Sequence, residues 1–171
     1  MKRILIAGVG NIFHGDDAFG VEVARALSAR PLPEQVTVED YGIRAYDLAL
    51  ALTDNYDAVI LVDAMPRGKS PGTVSLLQPY VSQLGNLEDV AVDAHTMNPL
   101  SVLKMVQSLG GVRAQLYVLG CEPAVLECEG GKLGLSETVR AAVPTAVAMI
   151  ESLINSLLNK EQHTTAGCKP A

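Results

Sequence analysis

The sequence predicts a single α/β domain, in which a twisted, mainly parallel sheet is flanked by helices on both faces. Apolar runs typical of buried strands alternate with segments whose apolar residues recur at helical spacing. The 171 residues are enough for one core, and the hydrophobic content of 49% is typical of a folded protein. Because no repeat, linker or second domain is recognisable, residues 1–160 are assigned to this domain, and residues 161–171 are expected to be a disordered tail.

The first half of the chain has the order β-α-β-α-β. Continuous apolar runs predict buried strands, alternation predicts a half-buried strand, and apolar residues three or four apart predict helices. The predicted segments are strand 3–10, helix 17–30, strand 35–42, helix 45–56 and strand 57–65. This order is typical of a doubly wound parallel sheet.

The second half is less regular. An extra or edge strand is predicted at 73–78, mostly loop at 79–93, a helix at 98–111, a strand at 114–121 and a long helix at 136–160. Pro99 is placed to begin its helix, and Ser136 is placed as the N-cap of the last one. Pro144 lies well inside the last helix and predicts a kink.

Charge and composition exclude several classes of function. The net charge of −6 argues against non-specific nucleic-acid binding, which depends on Lys and Arg. The apolar run near the N-terminus is too short for a signal peptide, and no segment approaches the roughly 20 apolar residues of a membrane span. Three cysteines without a CxxC pair do not indicate a disulfide framework or a zinc knuckle. A cytoplasmic protein is the simplest expectation.

The segment GNIFHGDDAFG, residues 10–20, follows the first predicted strand, where many α/β proteins bind a phosphate. Gly8 and Gly10 match the first two glycines of a GxGxxG fingerprint, but the third position is Phe13. Asp16 and Asp17 also place negative charge where a pyrophosphate would need bare N–H groups. A dinucleotide site is therefore disfavoured, and the carboxylates are better explained as cation ligands or acid–base groups.

Two more polar residues follow predicted strands or precede a helix. Asp63 comes directly after a buried strand, and His95 lies before the helix that begins at Pro99. Ligands of open α/β sheets gather beyond the carboxyl ends of strands, so Asp17, Asp63 and His95 are candidates for one crevice. Two carboxylates and an imidazole suit a borderline divalent metal, with Asp93 as a partner that orients the His95 ring.

Simpler interpretations compete with this one. Asp16 is a natural N-cap for the first helix, and Asp63 could satisfy only loop N–H groups. His14 and His163 are expected to be solvated, Cys121 buried, and Glu122 and Arg44 exposed, although the last three could reach the crevice or a partner. No GxSxG elbow and no HExxH motif occurs, so the serine-hydrolase and zincin patterns are excluded.

Five segments in this order resemble one family, the endopeptidases that mature the large subunit of nickel–iron hydrogenases. They are GVGNIFHGDDAFGVEVARAL, YGIRAYDLALAL, AVILVDAMPRGKSPGTV, DAHTMNPLSVL and YVLGCEP, which fall within residues 3 to 155. The resemblance implies a twisted, mainly parallel sheet flanked by helices. It also implies removal of a C-terminal extension from the large-subunit precursor after nickel insertion, with aspartyl-type endopeptidase activity.

The same resemblance implies that Asp17, Asp63 and His95 are both the metal ligands and the catalytic residues. The resemblance further implies that the metal is nickel, brought by the substrate rather than kept as a resident cofactor. Many members of the family have Glu at the position of Asp17, so the shorter Asp requires the metal or the loop to move inward. Asp16 becomes a possible substitute ligand for that reason.

Two alternatives remain open at the level of sequence. One is a small metal-dependent hydrolase with a resident ion, and the other is a nickel-binding partner that recognises the precursor without cutting it. In the main hypothesis the partner is the nickel–iron hydrogenase large-subunit precursor, without nucleic acid or membrane. The enzyme itself is expected to be a monomer.

Overall fold

The protein is described here by a computed structural model, which covers residues 2–79, 99–126 and 130–164. The strands are β1 (Ile4–Val9), β2 (Val36–Gly42), β3 (Ala58–Ala64), β4 (Val74–Leu77) and β5 (Gln115–Cys121). The helices are α1 (Phe19–Ser28), α2 (Ala45–Thr53), α3 (Pro99–Ser108) and α4 (Glu137–Thr164), and a short 3₁₀ turn (Gly15–Ala18) precedes α1.

The strands form one sheet with the order β2-β1-β3-β5-β4. Neighbours among β2, β1, β3 and β5 run parallel, and β4 pairs antiparallel with β5 at the edge. The strand predicted at 73–78 is thus confirmed as an edge strand. All six residues of β1 are buried, as expected for a central strand covered on both faces.

Helices cover both faces of the sheet, which confirms the predicted fold class. On one face α1 and α4 pack against the sheet through Phe19, Leu27 and Ile150, which are fully buried. On the other face α2 and α3 pack through Leu48 and Val106. Residues of each central strand alternate between these two clusters because successive side chains point to opposite faces.

The last helix differs from two expectations. Glu137–Asn159 of α4 is long and apolar enough to cross a membrane by length and composition alone, since an 18-residue window within it has a mean hydropathy of 1.5. The expectation that no segment approaches that length was therefore wrong. Part of the apolar surface of this helix is buried within the protein, since Val139, Val147 and Ile154 lie in the core. The helix also extends to Thr164, four residues into the expected tail.

Candidate active site at the carboxyl ends of the first and third strands

The connections of the sheet create a crevice between β1 and β3. The chain leaves β1 toward β2 on one side, then crosses to β3 on the other side of β1. In open α/β sheets such a point, where the strand order reverses, is where ligands bind, just beyond the carboxyl ends of the strands. The 3₁₀ turn follows β1 here and carries Asp16 and Asp17, while Asp63 lies near the end of β3.

Glycines bring the 3₁₀ turn and α1 against the sheet. A Cβ atom on Gly10, whose φ is +135°, would lie 1.7 Å from the carbonyl oxygen of Asp17. A Cβ atom on Gly20 would lie 2.0 Å from the carbonyl oxygen of Val62. Neither position has room for a side chain, so backbone packs directly on backbone. This close packing accounts for Gly10 and Gly20 without a phosphate site and places Asp17 beside β3.

Asp17 and Asp63, here named the carboxylate pair, are brought together by this packing. Asp17 is half-buried, and its Oδ2 accepts a hydrogen bond of 2.8 Å from the backbone N–H of Asn11. Asp63 is buried, with 7% of its surface exposed. Burial and then the neighbouring charge of Asp17 raise the pKa of Asp63 well above its ordinary value, against a bond from the Ala64 N–H. A bound cation would relieve both of these unfavourable effects.

Asp16 points elsewhere, into a set of hydrogen bonds that we name the Asp16 clamp, formed with Ala124, Val125 and Ser136. Its Oδ2 accepts bonds from the N–H groups of Ala124 and Val125, both 2.8 Å, and from the Ser136 hydroxyl at 2.9 Å. Its Oδ1 accepts a bond of 2.6 Å from the Ser136 N–H. Burial alone would raise the pKa of Asp16, but these donors together lower it below its ordinary value.

The prediction that Asp16 caps the first helix was therefore wrong. The residue at that position is Ala18, and no side chain bonds to the helix there. Asp16 bonds instead to segments more than 100 residues away in sequence. By contrast, Ser136 is confirmed as an N-cap, because its hydroxyl accepts a bond of 3.4 Å from the Val139 N–H at the start of α4.

His95 and Asp93 lie outside the described residues, so the third predicted member of the site has no described position. Within residues 2–79, 99–126 and 130–164, no group of three or more His, Cys, Asp or Glu side chains is placed to hold a metal. Of the predicted set, the structure thus brings together Asp17 and Asp63.

Two residues at the end of β5, Cys121 and Glu122, are buried in the fold. Cys121 is fully buried, and burial, followed by the charges of Asp16 and Glu122, raises the pKa of its thiol to about 11, so little reactive thiolate forms at neutral pH. Glu122 was expected to be solvated but is buried. Its carboxylate accepts bonds from the N–H groups of Arg67, at 2.8 Å, and Gly68, at 3.2 Å. Because these donors outweigh the effect of burial, the pKa of Glu122 is lowered.

The remaining candidates are surface residues. His14 is exposed, as expected. Arg44 lies 3.1 Å from the Asp47 carboxylate, with both side chains about half exposed, and it also bonds to backbone carbonyls of β2. The side chain of His163 and residues 165–171 are outside the description.

Sequence reasoning missed a groove of about 390 Å³ beside Asn11, between the loop after β1 and the turn after β2. Three of its lining residues are apolar yet exposed, Ile12, Phe13 at 58% and Ile43 at 64%. The apolar letters of GNIF and YGI were its only signal in the sequence.

Comparisons with known proteins agree with this fold and show the family to which the chain belongs. The model of the hydrogenase maturation protease family HycI matches residues 21–153. The chain is 32% identical over 150 residues to the hydrogenase 2 maturation protease of Escherichia coli, covering 86% of this chain and 88% of that protein.

Solved structures give the same result. The chain resembles the hydrogenase maturating endopeptidase HybD of E. coli with a TM-score of 0.73 and 29% identity, over 90% of this chain and 93% of that one. It resembles a hydrogenase 2 maturation peptidase from a Thaumarchaeota archaeon with a TM-score of 0.67 and 32% identity, over 90% and 98%. The protein is therefore a hydrolase, and the chain belongs to the hydrogenase maturation protease family.

Proposed function

We propose that this protease removes the C-terminal extension of a nickel–iron hydrogenase large-subunit precursor, and that nickel in the precursor docks on Asp17, Asp63 and His95. The observation that carries the proposal is the carboxylate pair at the point where the strand order reverses. The kinship with hydrogenase maturation proteases supports the choice of substrate.

The electrostatics of the carboxylate pair favour a cation that arrives with the substrate. Asp63 is buried next to a second acid, so its ionised form lacks full compensation in the free enzyme. A divalent ion placed between Asp17 and Asp63 would supply that compensation, and the imidazole of His95 would add a nitrogen ligand. Carboxylate and imidazole together suit a borderline ion such as nickel.

The residues of the site would act mainly by positioning. Asp17 is fixed by the Asn11 N–H, and Asp63 is fixed by the end of a buried strand. Holding a metal that belongs to the precursor would orient the scissile bond relative to the enzyme, and orientation alone contributes large rate factors. The bound ion would also be able to polarise the scissile carbonyl or activate water.

The same requirement would act as a proofreading step. A precursor without nickel would lack the ion that joins it to the carboxylate pair, so it would not be held for cleavage. The proposal includes a monomeric enzyme acting in the cytoplasm, which sedimentation and cell fractionation would test.

The test is intact-mass spectrometry of a purified large-subunit precursor mixed with the enzyme, with and without nickel. We expect a C-terminal peptide to be lost from the loaded precursor only, and we expect His95→Ala to abolish this loss while remaining folded. Cleavage without nickel would remove the docking role, and an active His95→Ala enzyme would remove His95 from the site. Absence of any cleavage would favour a non-cleaving partner, and metal retained stoichiometrically by the purified enzyme would favour a resident ion.

A further inference from the structure

Asp16 is a buried acid next to Asp17 that has no role in the proposed reaction. Its carboxylate is fully buried and accepts all four hydrogen bonds of the Asp16 clamp. With both oxygens so engaged, it is poorly placed to bind a metal as a substitute for Asp17. Its effect on the reaction has to pass through the residues that it holds in place.

The clamp fastens the 3₁₀ turn to two distant segments of the chain. Ala124 and Val125 belong to the segment after β5, and Ser136 caps α4. Backbone bonds reinforce the attachment: the Asp16 N–H donates to the Val125 carbonyl at 2.9 Å, and the Gly15 N–H donates to the Lys132 carbonyl at 2.8 Å. The position of the turn is therefore fixed from the side of β5 and α4.

The opposite side of the same turn carries Asp17. The carbonyl of Asp17 lies against Gly10, with no room for a Cβ atom between them, and its carboxylate accepts the Asn11 N–H. The turn is thus held between β1 on one side and the clamp on the other. A shift of Asp16 within its hydrogen bonds would move Asp17, the next residue, relative to Asp63.

We propose that Asp16 is a positioning residue, which sets the place of Asp17 in the carboxylate pair through its bonds to Ala124, Val125 and Ser136. This inference rests on the proposed function for its catalytic consequence. It predicts that removing hydrogen bonds of the Asp16 clamp slows processing because Asp17 is displaced, and not only because the protein is less stable.

Asp16→Asn and Ser136→Ala are the two test variants. All four partners of Asp16 donate hydrogen bonds, but the side chain of asparagine has only one oxygen to accept them and a donating NH₂ group in place of the other. At least one of the four bonds is therefore replaced by two donors that face each other. Ser136→Ala removes the hydroxyl that bonds to Asp16, while Ser136→Thr retains a hydroxyl and serves as the conservative rescue. Val147→Ala is the control for stability, because Val147 is buried in α4 but is not part of the clamp.

The first measurement is hydrogen exchange of the Asn11 amide, whose N–H is bound by Asp17. We expect this amide to exchange at least about tenfold faster in Asp16→Asn and Ser136→Ala than in a Val147→Ala protein of similar stability. In Ser136→Thr the rate should be close to that of the wild type. Equal exchange in the clamp variants and Val147→Ala would overturn the proposal.

The second measurement is processing of nickel-loaded precursor at a temperature where every variant is folded. Asp16→Asn and Ser136→Ala should lower kcat/KM by about 10- to 100-fold, since small misplacements of positioning groups have effects of that size. Val147→Ala and Ser136→Thr should remain within about threefold of the wild type. Wild-type rates in both clamp variants would contradict the inference.

The two measurements separate the two claims. If the wild-type enzyme cleaves no precursor, the proposed function fails, and the Asn11 exchange rate still decides whether Asp16 positions Asp17. If Asp16→Asn does not fold, Ser136→Ala gives the decision, because it leaves the carboxylate and the three backbone bonds to it in place.

Discussion

Asp16 and Asp17 are neighbours in the chain, but they belong to two regions, the Asp16 clamp and the carboxylate pair, which shift the pKa of a buried acid in opposite directions. The Asp16 clamp surrounds a buried carboxylate with four donors, which hold its charge at a lowered pKa. The carboxylate pair places buried Asp63 beside Asp17, and the pKa of Asp63 is raised. One region stabilises the fold through an ionised acid, and the other holds an acid whose ionisation costs stability, which is consistent with the proposed docking of a cation there.

The largest expected effect concerns the packing that holds α1 and the 3₁₀ turn, which carries both Asp16 and Asp17, against the sheet. Gly20→Ala places a Cβ atom 2.0 Å from the Val62 carbonyl oxygen and 2.3 Å from that of Val9, so α1 and the 3₁₀ turn must move away from the sheet. We expect a loss of roughly 4 kcal/mol or more in the free energy of unfolding, and no processing. Thermal unfolding followed by circular dichroism gives the measurement.

Gly68→Ala is the matched control for this substitution. Gly68 has a positive φ of +74°, but no atom lies within 4 Å of the Cβ position. Backbone strain alone should cost about 1 kcal/mol. Similar losses in Gly20→Ala and Gly68→Ala would show that close approach to the sheet is unimportant.

The next prediction is that asparagine has opposite effects on stability in the two regions. Asp16→Asn should lower the free energy of unfolding by about 2–4 kcal/mol. At least one buried donor of the clamp loses its acceptor, and the others bond to a neutral oxygen instead of a charged one. Asp63→Asn should raise it by about 1 kcal/mol, because a buried charge next to Asp17 is removed. Urea unfolding of the metal-free proteins measures both, and a destabilised Asp63→Asn would contradict the comparison.

The effects should also depend on pH in opposite ways. The raised pKa of Asp63 means that its penalty is absent below the ordinary value of 3.8 and grows as the pH rises from there through the folded-state pKa. The advantage of Asp63→Asn should therefore shrink as the pH falls. The lowered pKa of Asp16 gives stability that is present above 3.8 and is lost as the pH falls through the folded-state pKa. Unfolding curves from pH 8 down to about pH 2 separate the two trends.

The carboxylate pair could be predicted from the sequence but the Asp16 clamp could not, for a physical reason. Buried strands have a local pattern, and the carboxyl ends of parallel strands converge, so Asp17 and Asp63 could be predicted to meet. The donors of Asp16 come from residues 108 to 120 positions later, and no local pattern records them. The most local explanation, an N-cap, was chosen for Asp16 and was wrong.

Glycines show the same limit. The sequence shows where Gly10 and Gly20 are, but their structural role depends on which backbone atoms lie against them in the folded protein. The apolar groove beside Asn11 likewise forms only where the loop after β1 meets the turn after β2. The position of His95 relative to the pair stays a prediction from the sequence.

The smallest expected effect is at the C-terminus. Deleting the residues after Lys160 removes the end of α4 and residues 165–171, far in sequence from both acidic regions. Leu157 and Leu158, the last core residues among the described side chains of α4, are retained. Processing should stay within about twofold of the full chain, and a large loss in the cleavage assay would show that the tail contributes to the enzyme.

The most direct test of the central claim is cleavage of nickel-loaded precursor by Asp17→Asn and Asp63→Asn, followed by intact-mass spectrometry. Asp54→Asn, an exposed acid at the end of α2, is the matched control. The account predicts that the two site variants are folded, that they reduce the rate by about 10²-fold or more, and that Asp54→Asn cleaves at the wild-type rate. Wild-type cleavage by a folded Asp63→Asn enzyme would contradict it.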